Sequence, residues 1–285
     1  MFGDVKLFGR VASGSIAAFV VISTGLLCGY TGAIADANTL AVINPTPTAR
    51  EAPVRVGNLA RGDNTTWAKV AALYPAMPRI KASPLTEPFG LKAMPWFAGD
   101  IFTKWKGVEA DIRTEMEILA RCLGNVKDCS SAAQKFLAIV AVGRAQTGRA
   151  RIGEINRAIN LAIQPMSDLK QWGIDERWSA PLETLTTGRG DCEDYAIAKF
   201  VALMAAGVAW EDVKLVIVQD LAASDGHAII AVYVDGSWVV LDNRWLALVE
   251  DYKMHRMFPL FVIDHTGVKA YVRLPPQNFA SVLLD

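Results

Sequence analysis

The sequence predicts an α+β fold, with a helical N-terminal half packed on an antiparallel sheet. Three observations carry that expectation. Apolar residues recur at helical spacing in three stretches between residues 104 and 163. Beyond Gly207 the period changes to two, in short β-branched runs separated by turn signals. Between the halves lies a single helix that carries one cysteine among three carboxylates. The 285 residues, 52% of them hydrophobic, are enough for one full core. Lys plus Arg and Asp plus Glu each number 29, so the chain has neither a basic field for nucleic acid nor an acidic tail. The four cysteines and three histidines form no zinc pattern, and no internal repeat is visible.

Taken in order, the chain opens with an export signal. Lys6 and Arg10 form a short positive region, Val11 to Leu27 is apolar or small, and Ala33-Ile34-Ala35 offers a small-x-small cleavage site. Residues 1–35 are therefore expected to be a signal peptide; an uncleaved anchor helix is the alternative, because the apolar run approaches spanning length. Leu27 is too large to precede a lipoprotein cysteine, which argues against lipidation of Cys28. Either way the rest of the chain is expected outside the cytoplasm, in the periplasm or secreted. Residues 36–84 are broken by Pro45, Pro47, Pro53, Pro75, Pro78 and Pro84 and read as a leader or linker, with one pair of helical turns near Trp67 to Leu73. The functional domain is expected over 85–285.

Lys104 to Cys122 places Trp105, Val108, Ile112, Met116 and Leu119 on one helical stripe. Ser130 to Val142 and Ile152 to Ile163 are the next two helices. Cys122 and Cys129 lie at the end of the first helix and the start of the second. They are either two reduced core thiols or a short structural disulfide, and an oxidising compartment favours the disulfide. Asp168 to Trp178 reads as turn.

The stretch Gly188-Arg189-Gly190-Asp191-Cys192-Glu193-Asp194-Tyr195 is a glycine turn followed by a helix start. Asp191 can cap that helix, and Glu193 and Asp194 sit in its first turn, where the dipole favours negative charge. Tyr195 to Ala206 continues it, and Gly207 ends it. Cys192 then lies at a helix N-terminus, where exposed N–H groups favour a thiolate while the adjoining carboxylates oppose one. Arg189-Gly190-Asp191 spells an adhesion tripeptide, but the turn already explains it.

The strands follow: Lys214 to Gln219, Ala228 to Val234, a hairpin at Asp235-Gly236 into Trp238 to Leu241, and a last pair, Leu260 to Ile263 and Val268 to Leu274. His227 opens the second strand, and Asp242 closes the next, so adjacent antiparallel strands bring both to one end of the sheet. Taken singly, Cys192, His227 and Asp242 each have an ordinary structural explanation: a buried small hydrophobe, a core histidine and a turn residue. Their order on these local structures instead suggests a nucleophile, its base and the group that orients the base. His255 and His265 lie in a loop and a turn and compete weakly for the base.

Glu154-Ile155-Asn156-Arg157-Ala158-Ile159-Asn160, Trp178, Pro181-Leu182-Glu183-Thr184-Leu185, the Gly-Arg-Gly-Asp-Cys-Glu-Asp-Tyr run, Gly226-His227-Ala228 and Leu241-Asp242-Asn243 together resemble the bacterial transglutaminase-like cysteine proteinases, over roughly residues 86–275. The resemblance implies a papain-like fold in its transglutaminase version, with a triad of Cys192, His227 and Asp242. The best understood members, of the LapG type, are calcium-dependent periplasmic proteases that clip a surface adhesin and so release biofilm cells; an inner-membrane cyclic di-GMP receptor inhibits them. The resemblance also implies calcium at the acids flanking the cysteine, here Asp191 and Glu193 with Asp194 close by. Independently, three carboxylates within four residues repel one another, and a hard cation would relieve that; the alternative is a solvated helix start that binds nothing. The long leader, the Cys122/Cys129 pair and Phe258-Pro259-Leu260-Phe261 depart from the LapG type. Two rivals to hydrolysis remain open: acyl transfer to an amine, and a non-catalytic peptide-binding module on the same scaffold.

Overall fold

The computed structural model describes residues 87–272, apart from 126 and 128. The expected signal peptide, the leader with its Trp67–Leu73 turns, and the chain beyond residue 272 lie outside the described residues. The elements in chain order are β1 (Lys92–Pro95), α1 (Gly99–Gly124), α2 (Ser131–Arg144), α3 (Gly148–Ala162), β2 (Gln164–Pro165), α4 (Asp168–Trp172), α5 (Pro181–Thr187), β3 (Arg189–Gly190), α6 (Cys192–Ala205), β4 (Val213–Asp220), β5 (Asp225–Val234), β6 (Ser237–Leu241), β7 (Val249–Glu250), β8 (Met257–Asp264) and β9 (Gly267–Val272).

Apart from β1 and the short β2–β3 pair, the helices precede the strands, in line with the α+β expectation. The main sheet has the order β1-β9-β8-β4-β5-β6-β7, and every neighbouring pair is antiparallel. Leu215, Ile217, Ala228, Ile230 and Val232 face the helical core, while Val216, Val218, Ile229 and Ala231 face a second cluster with Trp238, Met257, Val262 and Tyr271. Apolar packing on both faces explains why β4 reads as a continuous apolar run rather than an alternating one. The expected strand starts at Leu260, whereas β8 starts at Met257 and runs through Pro259. The register with β4 shifts between Ile217 and Val218 at that point, and such an irregularity accommodates a proline.

Helix α6 is the centre of the molecule: all of its residues are buried. Its C-terminus is a Schellman arrangement, in which Gly207 N–H donates to Met204 O at 3.0 Å and Val208 N–H to Leu203 O at 3.0 Å, with Gly207 at φ +89°. Helices α2 and α3 pack so closely that a Cβ at Gly143 would stand 2.5 Å from Ile155 Cδ1. Cys122 and Cys129 are joined as a disulfide, with Cα atoms 4.7 Å apart.

Helix α4 falls in the segment that reads as turn, and helix α5 in a segment with no expected element. Helix α4 is a short turn closed by Gly173 in the left-handed region. Helix α5 begins on Pro181, whose missing N–H is harmless at that position. Its next two N–H groups, of Leu182 and Glu183, donate to the Glu115 carboxylate on α1 at 2.8 and 3.0 Å. The cap comes from a distant helix, so no local pattern announces it.

Candidate active site

Three loops and two strand ends build the site. The pair β2–β3 is parallel, with Gln164 opposite Arg189 and Pro165 opposite Gly190. It ties the segment leading to α4 against the turn that launches α6. Gly190 is needed there for close approach rather than for backbone freedom: a Cβ would stand 2.7 Å from Asp194 Cβ and 2.6 Å from Asp194 Oδ2. Gly190→Ala is therefore expected to destabilise the fold by about 1–3 kcal/mol and to displace the Asp194 carboxylate. Urea unfolding checks this, and an unchanged midpoint would refute it.

Asp191 occupies the N-cap position of α6, but its side chain makes no capping bond. It turns away and accepts from Asp168 N–H at 3.2 Å. Cys192 starts the helix and is 2% exposed. Its Sγ accepts from Ala228 N–H at 3.2 Å and lies 3.3 Å from Glu193 Oε2. The chemistry considered below is that of the Cys192 thiol.

The Ala228–Cys192 contact seats the start of β5 on the start of α6. His227, one residue earlier, turns its Nε2 to Asp242 Oδ2 at 3.0 Å. Pairing of Ile230 with Leu241 puts His227 and Asp242 at the same end of β5 and β6. His227 is 6% exposed and Asp242 is fully buried. Burial works to raise the Asp242 carboxyl; the hydrogen bonds and charges of His227 and Arg244 outweigh it and hold the group well below the usual carboxylate range. His255 lies in an exposed turn, and His265 stacks on Trp210 at 5.3 Å between centroids, away from this network.

The loop that carries Asp242 is fastened from α3. Asn160 Nδ2 donates to Asp242 O at 2.9 Å and Trp245 O at 3.1 Å, and Asn156 Nδ2 donates to Leu246 O at 3.1 Å. The two asparagines, one helical turn apart, were visible in the sequence, but their task was not.

A second cluster lies beside the cysteine. Asp168, Asp191 and Asp194 are buried, and one carboxylate oxygen from each falls within 4.8 Å of the others. Asp168 Oδ1, Asp191 Oδ1 and Asp194 Oδ2 are buried without a hydrogen-bond partner. Asp194 Oδ1 accepts from Ser179 N–H at 2.8 Å, and Asp168 Oδ2 accepts from Arg177 N–H. Burial, with only partial relief from that Arg177 N–H, raises the Asp168 carboxyl to about 6. Burial and the neighbouring Asp168 charge raise Asp191 to about 7. Glu193 and Asp194 are pushed well above their usual range by burial first and by the Asp191 charge second. Hard oxygen ligands, converging and short of donors, fit a calcium ion. Glu193 is outside this group of three, although its Oε1 is also buried and unpartnered. Asp168 was missed: it opens a short helix that reads as turn, 23 residues from Asp191.

Trp178 Nε1 is engaged by Glu176 Oε1 at 3.1 Å, and Gly190 O accepts from Met166 N–H at 2.9 Å.

No curated protein sequence matches the chain. Among solved structures, LapG of Legionella pneumophila is similar at 18% identity, with a TM-score of 0.45, covering 54% of this chain and 86% of that one. Its calcium-bound form gives 0.46 at the same identity and coverage. The family model for bacterial transglutaminase-like cysteine proteinases matches residues 113–255, half of the chain, from the middle of α1 past β7 and across every residue of the site above. With the helices laid on an antiparallel sheet in the transglutaminase-like version of the papain fold, the chain belongs to the bacterial transglutaminase-like cysteine proteinase family.

Proposed function

We propose that the chain is a cysteine endopeptidase acting outside the cytoplasm, with Cys192 as nucleophile, His227 as base and Asp242 as the group that orients the ring. One observation carries the reading: the start of β5 delivers Ala228 N–H to Cys192 Sγ at 3.2 Å while the adjoining His227 holds Asp242 at 3.0 Å. Nε2 faces Asp242, and Nδ1 would receive the thiol proton. The thiolate attacks a peptide carbonyl carbon, and a tetrahedral oxyanion forms beside the Cys192 backbone N–H at the start of α6. The C–N bond then breaks, and the imidazolium returns its proton to the departing amine. Water, deprotonated by the same ring, attacks the thioester carbonyl and releases the acid and the thiol.

Asp168, Asp191 and Asp194 would hold calcium, which when bound supplies positive charge that cancels their mutual repulsion next to the helix start. Adding calcium to chelator-treated protein at about 100 times the dissociation constant is expected to stabilise it by about 2.7 kcal/mol, raising the melting temperature by roughly 5–10 °C. Asp168→Asn, outside the cysteine motif, should abolish most of that shift. A wild-type melting curve indifferent to calcium would remove the metal from the account.

The export signal and the family resemblance support a cell-surface protein, such as an adhesin, as substrate, and an inner-membrane cyclic di-GMP receptor as inhibitor. The test compares surface and secreted proteins of cells expressing the wild type or Cys192→Ala. Expected is a surface protein shortened and released only when Cys192 is present; identical profiles would sink the reading. In vitro, the reduced protein is mixed with the candidate substrate and a labelled primary amine. Label-free fragments support hydrolysis, and incorporated label marks acyl transfer instead.

A further inference from the structure

Asp242 receives more donors than ring orientation alone requires. Besides His227, its carboxylate accepts Arg244 Nε on both oxygens at 3.2 Å, Arg244 Nη2 at 2.9 Å and the Arg244 backbone N–H at 2.9 Å. The remaining guanidinium nitrogen, Nη1, donates to Asp220 Oδ2 at 2.7 Å. The guanidinium carbon lies 4.9 Å from the centroid of the Trp245 ring. Asp220 ends β4, and its other oxygen accepts Ala222 N–H at 2.8 Å and Ala223 N–H at 3.4 Å, closing the turn that leads to His227.

We propose that Arg244 is a positioning residue for the triad: its fork fixes both oxygens of Asp242 and fastens them, through Asp220, to the strand end from which His227 emerges. This rests on the triad reading above. Two plainer roles fit less well. A loose surface ion pair would not engage every guanidinium nitrogen with two carboxylates while lying against an indole. A docking point for a substrate carboxylate would have only one N–H on each terminal nitrogen to offer, because Asp242 already takes the Nε/Nη2 fork and Asp220 the other Nη1 bond.

The clamp has two effects of opposite sign. A carboxylate free to rotate about its Cβ–Cγ bond spends time with neither oxygen facing the ring, so fixing it should favour turnover. A permanent cation on the same carboxylate also shares its charge and so stabilises the imidazolium of His227 less than a lone Asp242 would. The other charges facing the network are Lys199 from α6, Asp220 from β4, and Glu193 beside Cys192 at the helix start.

The experiment uses the full chain, reduced and calcium-loaded, with a peptide substrate, and compares Arg244→Gln, Arg244→Lys and Asp220→Asn. Arg244→Gln is expected to lower kcat about 10- to 100-fold, the scale on which outer partners of a site act, with KM changed by less than about twofold. It should also move the basic limb of the pH–rate profile upward, because the Asp242 charge is no longer shared. Arg244→Lys restores the cation without the fork, so the limb should return while kcat recovers only in part. Asp220→Asn frees Arg244 from the strand end and should give a smaller fall in kcat. Wild-type kcat and limb in Arg244→Gln would overturn the proposal, as would equal losses in all three variants with the limb unmoved, which is how a damaged fold behaves. If Cys192→Ala retains turnover, the triad reading itself fails and takes this one with it. If Cys192→Ala is dead and Arg244→Gln is normal, only the clamp falls.

Discussion

Cys192→Ala is expected to lose peptide hydrolysis by on the order of 1,000-fold or more, with the melting temperature changed by no more than a few degrees. Removing one sulfur from a site 2% exposed leaves a small void, whereas the other two cysteines among the described residues are joined to each other and cannot replace the nucleophile. His227→Ala should cost a similar factor, because a thiol without its base reaches the thiolate only through solvent. Asp242→Asn should cost less than either: the amide can keep a hydrogen bond to the ring, but it no longer balances the imidazolium charge. The three losses should not add, since each residue works only through the others. A Cys192→Ala/His227→Ala double variant no slower than either single one is the expected signature. Independent, additive losses would mean that these residues do not form one machine.

The central helix, its cysteine and the strands beyond it were legible because each rests on local rules. Gly207 ends α6 by the rule for left-handed caps, Asp235-Gly236 turns the β5–β6 hairpin, and His227 and Asp242 meet because adjacent antiparallel strands must share an end. What escaped depends on partners distant in sequence. Helix α5 is capped by Glu115, 67 residues away. Strand β1 exists because β9 pairs with it across the whole domain. Asp168 joins Asp191 and Asp194 only because β2 and β3 bring two loops together. The Asp191 side chain was misread for the same reason: the helix cap is the short-range option, and a third carboxylate and its backbone offered another. Arg244 carries no sequence signal beyond standing two residues after Asp242; its role appears only once Asp220 and Trp245 lie within its reach.

Lys199→Met is expected to stabilise the protein at neutral pH, and the gain should vanish as the pH rises. Lys199 lies on α6 two turns beyond Cys192 and is 1% exposed. Its ammonium stands 5.9 Å from the Tyr195 ring centroid. Burial lowers its pKa from 10.5 to about 7, with the Asp242 charge pulling the other way. Between those two values the unfolded chain binds a proton that the folded chain lacks, so wild-type stability rises with pH across that window. Below about pH 7 both states are protonated and the full penalty of a buried ammonium applies; above about 10.5 neither is, and the penalty is gone. At about 1.4 kcal/mol per pKa unit, the penalty at neutral pH is on the order of 4 kcal/mol. Methionine has nearly the same length and no charge, so it removes the group from both states while keeping the core filled. Urea unfolding at several pH values between about 6.5 and 10 isolates the effect, since every other titrating group is common to both proteins. The difference between variant and wild type should be largest at the acid end and shrink steadily toward the alkaline end. A constant difference would mean that Lys199 keeps its proton in the folded state, held by Asp242 strongly enough to overcome burial. In that case Asp242 would be balanced from beneath by α6 as well as from the surface by Arg244.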